Sequence, residues 1–323
     1  MAGKKRLLTG IRASGEIHLG NYFGAMAPAI RAQADFDSFL FIADFHGLTS
    51  SPPPDELRSS VRSVAAAWLA CGADPNTCTL WRQSDVKEVL ELSYILSCVT
   101  GLGLLERAHS YKDARAKSKQ LRSGILFYPV LMAADILLFE ADVVPVGKDQ
   151  LQHLEMTRDM ATFFNEAYSP VLKLPEAMSF ESTQVLPGVD GRKMSKSYGN
   201  AIHLFSEEPV LKKEVMKIIT DSKALDEPKN AEECLIYQIF KVVASADRAK
   251  LMKQKLEAGG YGYGDAKKEL LQEILEGFSA MRQNYRRWID HPSDIEDCLR
   301  QGAKKASEKA VKLMDRVRQE VGL

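Results

Sequence analysis

Through the first half of the chain, short apolar runs alternate with longer stretches in which apolar residues recur every three or four positions. Leu7-Leu8, Phe39–Ala43, Thr79–Trp81 and Val143–Val146 are the short runs, and they read as strands buried on both faces. Between the second and third, Pro54-Asp55-Glu56 opens a helix with Leu57, Val61, Val64, Ala65, Trp68 and Leu69 on one face, and Gly72 ends it. Such a crossover returns the chain parallel to its start.

After Pro228 the strand signal disappears. Three helical patterns remain: Leu235, Ile236, Ile239, Phe240 and Val243; then Leu270, Leu271, Ile274, Leu275 and Phe278; then Ala310, Leu313, Met314, Val317 and Val321. The segment Ala258–Gly264, with four glycines, reads as a turn between two of these helices. The pattern predicts an α/β fold: a Rossmann-like doubly wound parallel sheet over residues 1–200, followed by a mainly helical C-terminal domain over 201–323.

Composition narrows this only a little. A chain of 323 residues can bury a large core, and 43 basic residues balance 43 acidic ones, which neither predicts nor excludes a nucleic-acid partner. The five cysteines form no C-x-x-C pair, so no disulfide framework and no tightly bound protein metal is expected. No long apolar run follows Met1–Arg6 and none approaches a membrane span, so the expectation is a soluble cytoplasmic protein with no membrane partner.

Two short sequences carry chemistry. Gly15-Glu16-Ile17-His18-Leu19-Gly20-Asn21-Tyr22 follows the first strand and opens a helix. Glycine at a helix start lets backbone N–H groups approach a phosphate, and His18 and Asn21 add side-chain donors. Alone, these residues also fit ordinary turn and capping roles. Far downstream, Gly191-Arg192-Lys193-Met194-Ser195-Lys196-Ser197 sets two lysines three apart on a turn with two hydroxyls, which suits charge on a triphosphate. A solvated basic loop is the bland alternative.

Together, His18-Leu19-Gly20-Asn21 and Lys193-Met194-Ser195-Lys196-Ser197 resemble the paired signatures of class I aminoacyl-tRNA synthetases. The strings Phe127–Leu137 and Val144–His153 resemble the tryptophanyl-tRNA synthetase family in particular. The resemblance implies that ATP, with Mg²⁺, and L-tryptophan are substrates, that tRNA(Trp) accepts the product, and that the protein is a homodimer. It implies catalytic roles for His18, Asn21, Lys193 and Lys196. It further implies ATP contacts from Arg12, Ala13, Ser14, Gly20, Asn21, Gly147, Lys148, Asp149, Val185, Lys193, Met194, Ser195, Lys196 and Ser197.

For the amino acid, the resemblance implies Leu8, His46, Tyr128, Met132, Asp135, Val144, Val146 and Gln150. In the sister tyrosyl enzymes a glutamine and an aspartate on this helix face the phenol; here Met132 takes the glutamine's place and Asp135 remains. Asp135 then accepts from the donor-only indole N–H, between apolar walls. Its neighbours Leu131–Ala134 and Ile136–Leu138 are apolar almost all round, so the helix is buried and an unpartnered Asp would be costly. Met132 fits plain core packing equally well, and His46 and His153 are similarly open.

The chain departs from the family pattern at Arg12, where a glutamine is usual, at Asp44-Phe45-His46-Gly47, and at Ala114, where a lysine is usual, with Arg115 beside it. In the helical part, Arg282, Arg286, Arg287, Arg300, Lys304, Lys305, Lys309 and Lys312, with Tyr285 and Trp288 interleaved, offer a surface for phosphates and unstacked anticodon bases. The intervening acids fit an ordinary solvated face as well. Competing readings are a tyrosine-specific ligase, a small-molecule nucleotidyltransferase and a synthetase-like regulator without catalysis.

Overall fold

The computed structural model describes residues 3–117, 121–147, 150–178 and 186–323. The chain forms two compact units: Met1–Gly15, Ala29–Phe180 and His291–Leu323 make the first, and Glu16–Pro28 with Glu181–Asp290 make the second.

The first unit is built on a five-stranded sheet. Its strands are β1 (Arg6–Arg12), β2 (Asp37–Ala43), β3 (Thr79–Arg82), β4 (Val143–Pro145) and β5 (Glu176–Met178). All pairings are parallel, in the order β3-β2-β1-β4-β5, so the doubly wound Rossmann-like reading holds. The first four strands coincide with the apolar runs of the sequence. β5 was not among the expected strands, because an edge strand of Glu176, Ala177 and Met178 buries little and carries no apolar run.

The order reverses between β1 and β4: from β1 the chain winds outward through β2 and β3, then returns to lay β4 on the other side. Connections leave a strand-order reversal in opposite directions, which opens a crevice at the carboxyl ends of the two strands. The Pro54–Ala70 helix makes the crossover from β2 to β3, with Pro54 at its start and Trp68 fully buried. The sheet's core is aromatic: Phe41 stacks on Trp81 at 5.4 Å between centroids, and Phe139 meets the same indole edge-on at 4.8 Å.

In the second unit, every regular element after Pro228 among the described residues is a helix: Leu235–Val243, Ala246–Ala258, Tyr263–Gly277 and Ser279–Asp290. Apolar periodicity marked the first and third. Ala246–Ala258 buries only Ala249, Met252 and Leu256, and Ser279–Asp290 buries only Arg282, so neither carries an apolar stripe to read. The turn at Gly259–Gly262 falls where expected.

The last helix, Pro292–Val321, belongs to the first unit, where it packs along β3. Gly302 makes this possible. A methyl group there would lie 1.8 Å from the Leu80 carbonyl oxygen, inside contact distance of a backbone that cannot swing away. In an ordinary helix, replacing an interior glycine by alanine gains about 0.5–1 kcal/mol. Here the overlap reverses the sign, and Gly302→Ala should destabilise the protein by about 1–3 kcal/mol, read from the urea midpoint. A midpoint at or above that of the parent would mean that helix and strand do not approach this closely.

Candidate active site

The crevice at the β1/β4 reversal is a cavity of about 540 Å³. β1 contributes Leu8, Thr9, Gly10 and Arg12; β4 and its continuation contribute Val144, Pro145 and Val146; the Ser123–Leu137 helix contributes Ile125, Tyr128, Met132, Asp135 and Ile136. His46 and Gln150 complete it, so the eight residues expected around an amino acid all line one cavity. Gly10 is required by close approach, since a Cβ there would overlap the Phe41 ring at 2.4 Å. Ala114 also lines the wall, whereas Arg115 is exposed.

Asp135 stands on a helix that buries Val130, Ala133, Ala134, Ile136 and Leu137, and is itself only 3% exposed. Burial raises its carboxyl pKa above the ordinary carboxylate range, and hydrogen bonds to the ionised form pull the other way. Those bonds are specific. The Gln83 amide Nε2 donates to both carboxylate oxygens, at 2.7 and 2.8 Å, and His46 Nε2 donates to Oδ2 at 2.8 Å. A carboxylate is acceptor-only, which fixes the His46 proton on Nε2.

At the other end of the cavity, the Tyr128 hydroxyl lies 2.6 Å from His153 Nε2, with Ser110 Oγ 3.3 Å from the same nitrogen. His153 is buried, and so stands behind the wall rather than in it. Arg12 donates from Nη2 to Ser50 Oγ at 3.1 Å. The Asp44-Phe45-His46-Gly47 turn explains its own glycine: a Cβ on Gly47 would meet the Ala13 carbonyl oxygen at 2.9 Å. Ala13 is buried, and its N–H donates to the Ala43 carbonyl at 3.2 Å.

The two signature motifs meet within the second unit. His18 and Asn21 form a reciprocal cap on the helix start: the Asn21 backbone N–H donates to His18 Nδ1 at 3.2 Å, and the His18 backbone N–H donates to Asn21 Oδ1 at 3.3 Å. Because Nδ1 accepts, the neutral ring carries its proton on Nε2. Gly20 makes room for that ring, since a Cβ would sit 3.0 Å from His18 Nδ1 and 3.4 Å from Met194 Cβ. Burial first, then the nearby Lys196 and His203 charges, pushes the His18 pKa down to about 3. His18 is therefore a neutral donor throughout the physiological range.

The lysine turn is organised by a residue that sequence reasoning did not assign. Asn200 is buried; its Oδ1 accepts the Ser195 N–H at 2.8 Å, and its Nδ2 donates to Asp190 at 2.7 Å and to the Lys193 carbonyl at 3.2 Å. Gly199, at φ 62°, supplies the left-handed step before it. Met194 is buried, Lys193 and Ser197 are exposed, and Lys196 is half-buried. The signal for Asn200 was present in the sequence: an asparagine after a glycine, a few residues past the lysines, is a turn-closing pattern.

Gly147 lies just past β4, its carbonyl accepting the Gln150 N–H at 2.9 Å. Ser14 is exposed and precedes Gly15, at φ 76°. Lys148, Asp149 and Val185 lie outside the described residues. One expectation about the basic surface is corrected: Arg282 is buried and donates to the Leu204 and Ser206 carbonyls, and Tyr285 stacks on Phe205 at 4.2 Å. Arg282 is thus withdrawn from the surface, whereas Tyr285 is half-buried.

Residues 2–279 match the family model of class I tRNA synthetases (W and Y). The chain belongs to the class I tRNA synthetase family that comprises the W and Y enzymes. It is 46% identical over 320 residues to a tryptophan–tRNA ligase of Fusobacterium nucleatum, covering 99% of this chain and 98% of that one. Its fold superposes on the tryptophanyl-tRNA synthetase of Campylobacter jejuni complexed with ADP and tryptophan with a TM-score of 0.92, at 45% identity, covering 98% of this chain and all of that one. The Mycoplasma pneumoniae tryptophanyl-tRNA synthetase gives 0.84 at 30% identity, covering 99% and 98%.

The depressed His18 pKa makes a stability prediction. An unfolded histidine takes up a proton near pH 6.5, while the folded one resists until about pH 3. Between those values the unfolded state binds more protons, so stability is full above pH 6.5 and falls as pH drops through the window. His18→Asn keeps a capping side chain and removes the titration. Relative to the parent, the variant should gain up to about 3 kcal/mol on moving from pH 7.5 to 4.5. Urea unfolding at both values checks this; a difference that does not change with pH would refute the neutral, buried histidine.

Proposed function

We infer that this protein is a ligase that activates L-tryptophan with ATP and transfers it to its tRNA. The observation that carries the reading is a buried carboxylate, Asp135, that lines the cavity at the β1/β4 reversal beside Leu8, Met132, Val144 and Val146. An indole offers one N–H donor on a flat apolar body, and this cavity sets the Asp135 carboxylate on the same helix as Met132, with Leu8, Val144 and Val146 in the wall.

The first reaction is in-line attack of the tryptophan carboxylate on the α-phosphorus of ATP, forming tryptophanyl-adenylate and releasing pyrophosphate. A ribose hydroxyl at the tRNA terminus then takes the aminoacyl group, and AMP leaves. Neither step requires a covalent enzyme intermediate, so positioning and charge stabilisation suffice. ATP enters as its magnesium complex, with the ion carried on phosphate oxygens. His18 donates as a neutral group, which leaves its hydrogen bond independent of pH across the working range. Lys193 and Lys196 oppose charge developing on the β- and γ-phosphates. Within the second unit, Gly20, Asn21, Met194, Ser195 and Ser197 contact the nucleotide.

In the amino-acid pocket, Tyr128 and Gln150 hold the ammonium group. His153 supports this by holding the Tyr128 hydroxyl, which lies 2.6 Å from its Nε2. For tRNA(Trp), the region 201–323 supplies anticodon contacts, drawn from Arg286, Arg287 and Trp288 and from the basic residues of the last helix. The enzyme works as a cytoplasmic homodimer. Exposed apolar side chains on the first unit support this: Leu90 and Tyr94, one turn apart on the Glu88–Val99 helix, and Leu102 on the next. Among the described residues no helix is long and apolar enough to cross a membrane.

The direct test is amino-acid-dependent exchange of pyrophosphate into ATP, with tryptophan, tyrosine or no amino acid. Exchange with tryptophan alone is expected, and exchange with tyrosine would overturn the pocket reading. In the same assay, Lys196→Ala should raise the activation barrier by roughly 3 kcal/mol while tryptophan affinity stays nearly unchanged. Equal losses in rate and in tryptophan binding would contradict a role confined to the phosphates.

A further inference from the structure

Gln83 is polar, 2% exposed, and placed in the turn immediately after β3, where nothing in the reaction as described uses it. All of its amide bonds point at the amino-acid site. Nε2 straddles the Asp135 carboxylate at 2.7 and 2.8 Å, and Oε1 accepts the Phe45 backbone N–H at 3.0 Å. The residue after Phe45 is His46, the other donor to Asp135. Asp44 locks the same turn, with Oδ1 accepting the N–H groups of Phe45 and Ser84 at 3.1 and 3.0 Å and Oδ2 accepting the Ser84 hydroxyl at 2.5 Å.

A carboxylate accepts about four hydrogen bonds. One N–H shared across both oxygens and one N–H on Oδ2 hold the carboxylate against rotation and leave acceptor capacity on Oδ1. Without the bridge, Asp135 would be free to turn both oxygens toward His46, and a buried carboxylate short of donors would gain a proton and cease to be a pure acceptor.

We propose that Gln83 is the positioning residue for indole recognition: it fixes the plane of the Asp135 carboxylate so that one oxygen faces the indole N–H, and thereby sets specificity for tryptophan. This rests on the reading of Asp135 as the indole acceptor, and the test separates the two.

Pyrophosphate exchange is measured with tryptophan and with an analogue whose indole N–H is replaced by sulfur. Gln83→Met keeps the side-chain volume and removes both amide functions. The ratio of kcat/KM for tryptophan over the analogue should fall by about tenfold or more, through KM for tryptophan, with kcat and KM for ATP within about threefold of the parent. Gln83→Asn, which retains an amide but withdraws it from Asp135, should lower the ratio in the same direction and serves if the methionine variant does not fold. Asp135→Ala should abolish the discrimination, and adding Gln83→Met to it should lower the ratio no further.

If Asp135→Ala leaves the ratio intact, the indole reading itself fails. If Asp135→Ala abolishes it while the Gln83 variants keep the parent's ratio, or lower kcat for both amino acids alike, Gln83 is only structural and the proposal is wrong.

Discussion

The first unit is arranged around the cost of burying one carboxylate. Asp135 is 3% exposed on a helix that is apolar nearly all round, and an ionised group so placed persists only if hydrogen bonds replace its lost water. The donors come from two other elements: His46 from the turn after β2, and Gln83 from the turn after β3. Neither turn could be elsewhere, because β2 and β3 run parallel in register and so end at the same level. Parallel order thus sets the donors side by side at the carboxyl edge of the sheet, and the reversal at β1/β4 opens the space that they face.

The second unit solves the opposite problem. Its ligand is read as a polyanion, and its charged groups are side chains on a turn whose backbone is fixed from within. Asn200 ties together Ser195, Lys193 and Asp190, so one buried amide holds the shape of the turn. His18 is kept neutral beside Lys196, and a neutral imidazole adds a donor without adding repulsion between neighbouring cations. The close packing at Gly20 joins the two motifs, since the same missing side chain admits both the His18 ring and Met194.

What the sequence made legible follows from what buries apolar surface. The four strands that read as apolar runs, the Pro54 helix and the periodic helices announce themselves because each needs a continuous hydrophobic face. β5 and the helices Ala246–Ala258 and Ser279–Asp290 bury too little to leave a pattern. In the site, motif residues such as His18 and Lys196 and the isolated acid Asp135 stood out. Gln83 did not, because a glutamine at a strand end has no periodicity and its meaning depends on a contact across 52 residues. Arg282 misled for the converse reason: a guanidinium in a basic run looks solvent-facing until the carbonyls of Leu204 and Ser206 are found around it.

On the proposed reading of Asp135 as the indole acceptor, its surroundings bear on which aromatic amino acid fits, because the carboxylate by itself does not decide it. A phenol O–H donates as readily as an indole N–H, so tyrosine too could satisfy Asp135. The difference is that a phenol oxygen also accepts, and a buried acceptor without a donor costs about 1–3 kcal/mol. Gln83 and His46 donate to Asp135, and the Met132 side chain, one helical turn before it, has no N–H to offer. Indole presents nothing that needs a donor and loses nothing. On the proposed reading, Met132 contributes to selectivity by what its thioether cannot do, beside the acceptor that Asp135 places.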